Sequence, residues 1–507
     1  MASATRRDFL ARGTCGAAAA LSALAVPRWA AALPSAPAGD EALYVSATEL
    51  ARRLREGRLS AVDAVNLAYA RIDAVNPKIN AVVTTCRERA LAEARRADAA
   101  FAAGKLLGPL HGVPFTVKDS FDTEGVVSTG GTLGRRSFVP DRDATVVRRV
   151  REAGAILLGK TNTPEFTLGG GARETYNLLF GQTCNPYDTT HLPSGSSGGS
   201  GAIVAAGGAW FDIGSDYGGS IRGPAFANGI AGIKPTYGRV PRTGHIIGYG
   251  GAFDSFQEIG PLARRVEDLA LLLPLMAGPD GRDAAMVPVP LGEPSKVDIS
   301  RLRIAWYTDN GSIAASPEVR AMIKRCADDF ARLGCTLGED RPPRFKELTD
   351  TRQQFSNADG GARMRRLLAR HGTRQASQGL NLGGPGQEVS SAEFTRLCEK
   401  MDAIKSEQLA WFQSYDLILC PVTQRAPQKV PAEYRLPAET GAGYGGMTSE
   451  YNTTGWPAGV VRTGTSTEQP GLPLGIQVVA QPWRDEYVLA VLAHLEQQSG
   501  GWQKPPL

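Results

Sequence analysis

Histidine is scarce in this 507-residue chain, with five in all: His111, His191, His245, His371 and His494. A Ser-His-Asp hydrolase would have to take its base from that short set. Cysteine is sparse too, and no two cysteines form a Cys-x-x-Cys pair, which argues against a zinc ribbon. There is no Gly-x-x-x-x-Gly-Lys-[Ser/Thr] loop, and no Gly-rich piece sits in the strand–loop–helix context that a nucleotide phosphate requires. A strong excess of one charge is also missing, since formal net charge is +5. What remains is the composition of a globular enzyme, 42% apolar and 21% charged, long enough for one large core or two ordinary ones. Glycine stands out at 59 residues, which implies many tight turns and close backbone approaches.

The first residues read as a targeting segment. "TRRDFLA" places Arg6 and Arg7 before Phe9 and Leu10, an apolar stretch follows at 16–26, and "WAAALPSAPA" offers small-residue cleavage points after Ala32 or Ala38. The apolar stretch is too short to span a bilayer as a helix. The segment resembles a twin-arginine export signal, which a receptor reads and which leaves no membrane anchor. Residues 1–38 are therefore expected to be the signal, residues 39–507 the mature protein, and the location periplasmic or secreted. Removing 1–38 takes away four arginines and one aspartate, lowering net charge from +5 to +2. That is too near neutral to argue for nucleic acid or an anionic membrane as partner. Six cysteines remain (Cys86, Cys184, Cys326, Cys335, Cys398 and Cys420), expected mostly as free, buried thiols because such cargo folds before export.

Along the mature chain, Ser46 with Glu49 and Ser60 with Asp63 cap two helices, the first stopped by Gly57 and the second expected to end at Asn76-Pro77. A third helix covers 87–103. "GVPFTVKD" (112–119) and "AILLGKT" (155–161) read as short buried strands with a helix between them, and "GAWFDIGSD", "DLILCPV" and "GIQVVAQ" as further strands. Helices are expected at 317–333, at 391–413 and in the closing "DEYVLAVLAHLEQQ". Strands alternating with helices throughout predict an α/β fold, a large mixed sheet covered by helices on both faces. One domain is expected, with a less regular insertion at roughly 280–440.

Two Gly/Ser tracts, "PSGSSGGSG" at 193–201 and "SDYGGSIRGP" at 215–224, look like two backbone turns brought to one place. Each alone reads as a tight turn. "GSSGG" matches the nucleophile elbow around Ser197, yet a loop of turn formers precedes it where the elbow needs a strand. Lys118 adds weight, because it lies with Phe115 and Val117 in a buried strand. A buried lysine either finds an acid or loses its proton, and a neutral one is a competent general base. A solvated pair with Asp119 is the duller account of it.

Taken together, "GVPFTVKD", "LPSGSSGGSGAIVAAG", "IGSDYGGSIRGPAFANGIAGIKPTYGRV" and "GLPLGIQVVAQ" resemble the amidase signature family, with further likeness in "GKTNTPEF", "DLILCPVTQRAP" and "NTTGWPAG". The resemblance covers nearly the whole mature chain, in order. It implies a cofactor-independent hydrolase of small-molecule amides, with esters or carbamates as side substrates, and a homodimer as a common assembly. By position it makes Lys118 the base, Ser196 the bridging serine after a cis Gly195–Ser196 peptide, and Ser220 the nucleophile. The family's spacing between the two serines selects Ser196 over Ser197. The backbone N–H groups of Tyr217, Gly218, Gly219 and Ser220 are expected to receive the developing oxyanion. Asp216 and Arg222 are expected to tie down the nucleophile loop, and Ser200 to hydrogen-bond the site. Ser194, Tyr217 and Trp456 depart from the family pattern and are candidate pocket residues. Aromatic residues of the middle region, with "YGGM" at 444–447, suggest an apolar or aromatic acyl group. No Cys/His set for zinc and no cofactor motif appear. Two alternatives stay open: the amidotransferase subunit that supplies ammonia to misacylated tRNA, and a binding protein that kept the fold without the activity.

Overall fold

The runs at 114–118 and 156–161 lack the in–out alternation of a half-exposed strand, and the computed structural model of the protein gives the reason. Every residue in those strands is buried, so helices must cover both faces of the sheet. The structure describes residues 40–168, 174–248, 251–384, 386–430 and 446–507. The segment read as an export signal lies outside the described residues, as do Tyr444 and Gly445.

The strands are β1 (Val82–Thr85), β2 (Pro114–Lys118), β3 (Ile156–Thr161), β4 (Tyr176–Asn177), β5 (Gly181–Gln182), β6 (Phe211–Asp216) and β7 (Ala231–Lys234). They continue with β8 (Glu258–Ala263), β9 (Arg303–Trp306), β10 (Thr336–Glu339), β11 (Leu417–Pro421), β12 (Ala458–Thr465) and β13 (Pro473–Ala480). β4 and β5 form a separate hairpin. The other eleven make one mixed sheet in the order β1-β3-β2-β6-β8-β7-β12-β13-β11-β9-β10. β3, β2 and β6 run parallel to one another, with Lys118 opposite Thr161 and Thr116 opposite Asp212. Their carboxyl ends share one edge, the usual place for a site in such a sheet. Helix Gly198–Ala205 packs on these strands, and its glycines allow the approach. A Cβ on Gly199 would lie 2.4 Å from the Asn162 backbone nitrogen.

Helix boundaries follow the predicted signals with one correction. Ser46 and Ser60 cap as expected, through Glu49 N–H at 2.9 Å and Asp63 N–H at 3.0 Å. The second helix, however, runs through Pro77 to Ile79 and ends at Asn80, whose φ is +48°. Asn76 explains the extension: its Oδ1 accepts from the N–H groups of Ala81 and Val82 at 2.8 Å, fastening the helix end. The middle region is continuous with the core, because β9 and β10 extend the sheet in parallel beyond β11. The six described cysteines are free. No described helix is long and apolar enough to cross a membrane.

Candidate active site

Lys118 closes β2 and is fully buried. Its Nζ lies 2.7 Å from Ser196 Oγ, 2.9 Å from Ser197 Oγ and 3.0 Å from Ser215 Oγ. No carboxylate of a described residue touches it. Burial pulls the amine down to about 7, and the charges of Asp216 and Asp212 only partly oppose this. Asp212 lies on the same face, taking hydrogen bonds from Thr116 at 2.7 Å and Thr161 at 3.1 Å, and burial pushes its carboxyl up to about 6. Ser200 bonds Thr161 at 3.0 Å in that layer, behind the lysine.

The surrounding hydroxyls decide what the amine can do. Ser197 Oγ donates to the Ser215 carbonyl at 3.3 Å, so toward Lys118 it accepts. Ser215 Oγ lies 3.0 Å from Nε2 of His245, a buried imidazole held neutral by burial and by Lys118 and Arg242. When Ser215 donates to Nε2, its oxygen also accepts from the lysine. Both N–H groups of a neutral amine are then used, and its lone pair is left facing the Ser196 hydroxyl. Nδ1 of His245 has no partner among the described residues, so it favours neither tautomer.

The second tract turns on Asp216. Its carboxylate receives Gly219 N–H at 2.6 Å, Ile221 N–H at 3.0 Å, Asn452 Nδ2 at 2.9 Å and the Arg222 guanidinium through two bonds at 3.0 Å. Burial alone would raise this carboxyl; Arg222 and the other donors hold it well below the usual range. Arg222 also reaches Thr448 O, Gln477 and Asn452, so the loop is anchored to two other segments. Gly219 has φ +124°, and a Cβ there would meet Thr448 Oγ1 at 2.2 Å. Thr448 Oγ1 donates to Gly218 O at 2.7 Å.

This geometry corrects one expected donor. Gly219 N–H is committed to Asp216, leaving Tyr217, Gly218 and Ser220, whose N–H groups have no acceptor among the described residues. The two tracts meet where Ser197 N–H donates to Ser220 O at 3.2 Å, and the Gly195–Ser196 peptide is cis. Among the described residues, no hydrogen bond joins Ser196 Oγ to Ser220 Oγ.

Ser194, Gly195 and residues 217–220 line a cavity of about 650 Å³. Its far wall comes from helix Phe345–Asn357 and the segments after it, and includes Thr349, Arg352, Gln353, Ser356, Asn357 and Arg363. That wall is polar, which overturns the expectation of an apolar or aromatic acyl site: Tyr217 and Phe253 are its aromatic lining residues among those described. Trp456 is also corrected. It is 2% exposed, packs 4.6 Å from the Phe412 ring and does not line the cavity. Ser197 is fully buried and touches no histidine among the described residues, unlike an elbow nucleophile.

A family model described as Amidase matches residues 63–489. The chain belongs to the amidase signature family. It is 33% identical over 478 residues to the A chain of the glutamyl-tRNA(Gln) amidotransferase from Picosynechococcus sp., covering 88% of this chain and 96% of that protein. It is equally similar, 33% over 470 residues, to indoleacetamide hydrolase of Bradyrhizobium diazoefficiens, covering 90% and 86%. The solved structure of 6-aminohexanoate cyclic dimer hydrolase superposes with a TM-score of 0.80 at 28% identity, covering 92% of this chain and 99% of that one. The protein is an amidase, an enzyme that hydrolyses carbon–nitrogen bonds of carboxylic acid amides.

Several residues at the amidase's site were not visible from sequence. Ser215 could have been suspected as a polar residue in a fully buried strand. His245 and Thr448 carry no local signal, because tertiary structure alone brings them to the site. Among the described residues, no cluster of three or more His, Cys, Asp or Glu is arranged to hold a metal.

Proposed function

We propose that this amidase works through an acyl-enzyme on Ser220, with Lys118 as base and Ser196 as relay. The observation that carries the reading is the 2.7 Å contact from Lys118 Nζ to Ser196 Oγ, with the amine brought to about 7 and no described carboxylate touching it. Neutral Lys118 takes the Ser196 proton as Ser196 takes that of Ser220, and Ser220 Oγ bonds to the amide carbon. This requires the Ser220 hydroxyl to turn toward Ser196 when substrate binds. The carbonyl oxygen gains charge facing the N–H groups of Tyr217, Gly218 and Ser220; one such donor contributes about 3 kcal/mol to the transition state. The relay then reverses, giving the leaving nitrogen its proton, and water repeats the sequence to release the acid.

The test is a fluorophosphonate, with the modified residue located by peptide mass mapping. Label on Ser220, lost in Ser220→Ala, supports the reading; label on Ser197, or none, overturns it. The similarity to tRNA-dependent amidotransferase chains favours a second reading, in which turnover requires a partner protein. Hydrolysis by the purified single chain would exclude that dependence. The order of features in residues 1–38 supports twin-arginine export to the periplasm, which would separate the enzyme from tRNA; Arg6→Lys with Arg7→Lys should hold it in the cytoplasm.

A further inference from the structure

Buried arginines in this chain are generally satisfied. Arg222 pairs with Asp216, Arg239 with Asp485 and Arg242 with both Asp254 and Asp283, while Arg264 spreads four hydrogen bonds over backbone carbonyls. Arg352, on the cavity wall, is an exception. Its Nη2 donates to Tyr217 O, its Nε is buried without a partner, and no carboxylate of a described residue lies within ion-pair distance. The guanidinium rests against the oxyanion loop: Nη1 and Nη2 both fall 3.6 Å from where a Cβ on Gly218 would stand.

Arg363 lines the same cavity and has no ion pair with a described residue; its guanidinium lies 5.7 Å from the Phe253 ring. The nearby Asp359 carboxylate is occupied by the N–H groups of Gly361 at 3.0 Å and of Arg363 itself at 2.5 Å. Two guanidinium groups thus face one cavity without a counter-charge of their own among the described residues. A desolvated cation is costly unless something pairs with it, and a planar guanidinium fork matches a carboxylate.

Resting on the acyl-enzyme reading, we propose that the substrate is an amide that also carries a carboxylate, held by Arg352 and Arg363 while its amide carbonyl sits over Ser220. The two arginines differ in their work. Arg363 contributes to binding, whereas Arg352 also holds the Tyr217 carbonyl and so orients the peptide that presents Gly218 N–H.

The test uses monoamides of straight-chain dicarboxylic acids, from three to six carbons, beside the corresponding diamides. Each pair is nearly isosteric and differs by one charge. Two quantities are read: ammonia release, and protection of Ser220 from a neutral fluorophosphonate. At least one monoamide should exceed its diamide by about ten- to hundredfold in kcat/KM or in protection, the range of one to two charge-assisted hydrogen bonds. Arg363→Gln should collapse that ratio toward one, chiefly through KM, and Arg363→Lys should restore part of it. Arg352→Gln should lower kcat as well, because the loop loses an anchor. Diamides that bind as well as monoamides, or a preference that survives both glutamine variants, would overturn the proposal. Failure of Ser220 to label at all would instead overturn the acyl-enzyme reading on which it rests.

Discussion

The ends of β2 and β3 lie side by side, and each carries a fully buried lysine whose proton affinity burial has lowered. Lys118 is drawn to about 7 and Lys160 to about 8. They sit one register step apart and so leave opposite faces of the sheet. Lys118 meets three hydroxyls. Lys160 donates to the Phe121 carbonyl and to Thr123 Oγ1 at 2.7 Å, and that hydroxyl is itself turned to Phe121 O at 3.2 Å. A carbonyl has no proton to give, and the Thr123 proton is already placed. Lowered affinity alone therefore does not make a base; a neighbour able to hand over a proton does. Of the two lysines, Lys118 has such a neighbour beside the cavity.

The largest effect that sharpens this contrast belongs to Lys118→Met. Amide turnover should fall by about 10³- to 10⁴-fold, the upper range for loss of a positioned base. Hydrolysis of a matched ester should fall less, because an alkoxide leaves more readily than an unprotonated amine. Equal losses would remove Lys118 from the protonation of the leaving group. The pH profile gives the same prediction another form. The lysine's affinity is lowered from its ordinary value, so the neutral base is present above about pH 7 and disappears below it. Amide kcat/KM should rise through about pH 7 to a plateau, and that inflection should be absent from the residual activity of Lys118→Met.

A smaller effect is expected at His245. If it accepts the Ser215 proton and thereby aims the lysine lone pair at Ser196, His245→Leu should cost amide turnover about tenfold, the worth of one hydrogen bond near ~1.4 kcal/mol. His245→Gln, which can still accept, should recover part of that loss. A leucine variant with unchanged kcat would mean that Ser215 is oriented without the imidazole.

Legibility followed the same physical division. Lys118, Ser196 and Ser220 stand within short motifs whose order along the chain carried the resemblance, so the floor of the site was readable. The direction of the Gly219 N–H was not, because it depends on a +124° torsion and on the Asp216 carboxylate three residues earlier. Trp456 gave no sign of whether it packed inward or lined a pocket until Phe412 was seen against it. β9 and β10 went unread since each has four residues, and exposed Arg303, Thr336 and Glu339 blur their apolar pattern. The polar wall was hidden for a similar reason: Arg352 and Arg363 belong to separate helices, and neither helix periodicity nor charge indicates that both face Ser220.

Lys160→Met should move the rate least, which makes it the strictest check on the comparison. The substitution leaves the Phe121 carbonyl and the Thr123 hydroxyl short of a donor in a buried setting, a loss of about 1–3 kcal/mol of stability. It also removes the cation that opposes the burial-raised affinity of Asp119. Thermal unfolding should therefore begin several degrees lower. The folded fraction, titrated by fluorophosphonate, should nevertheless turn over amides within about threefold of the parent, under ~0.7 kcal/mol of barrier. The Lys118 variant should show the opposite pattern of preserved folding and lost chemistry. If Lys160→Met instead lost rate at full labelling, the two strand ends would form one catalytic unit, and the distinction between a lysine among hydroxyls and a lysine on a carbonyl would fail.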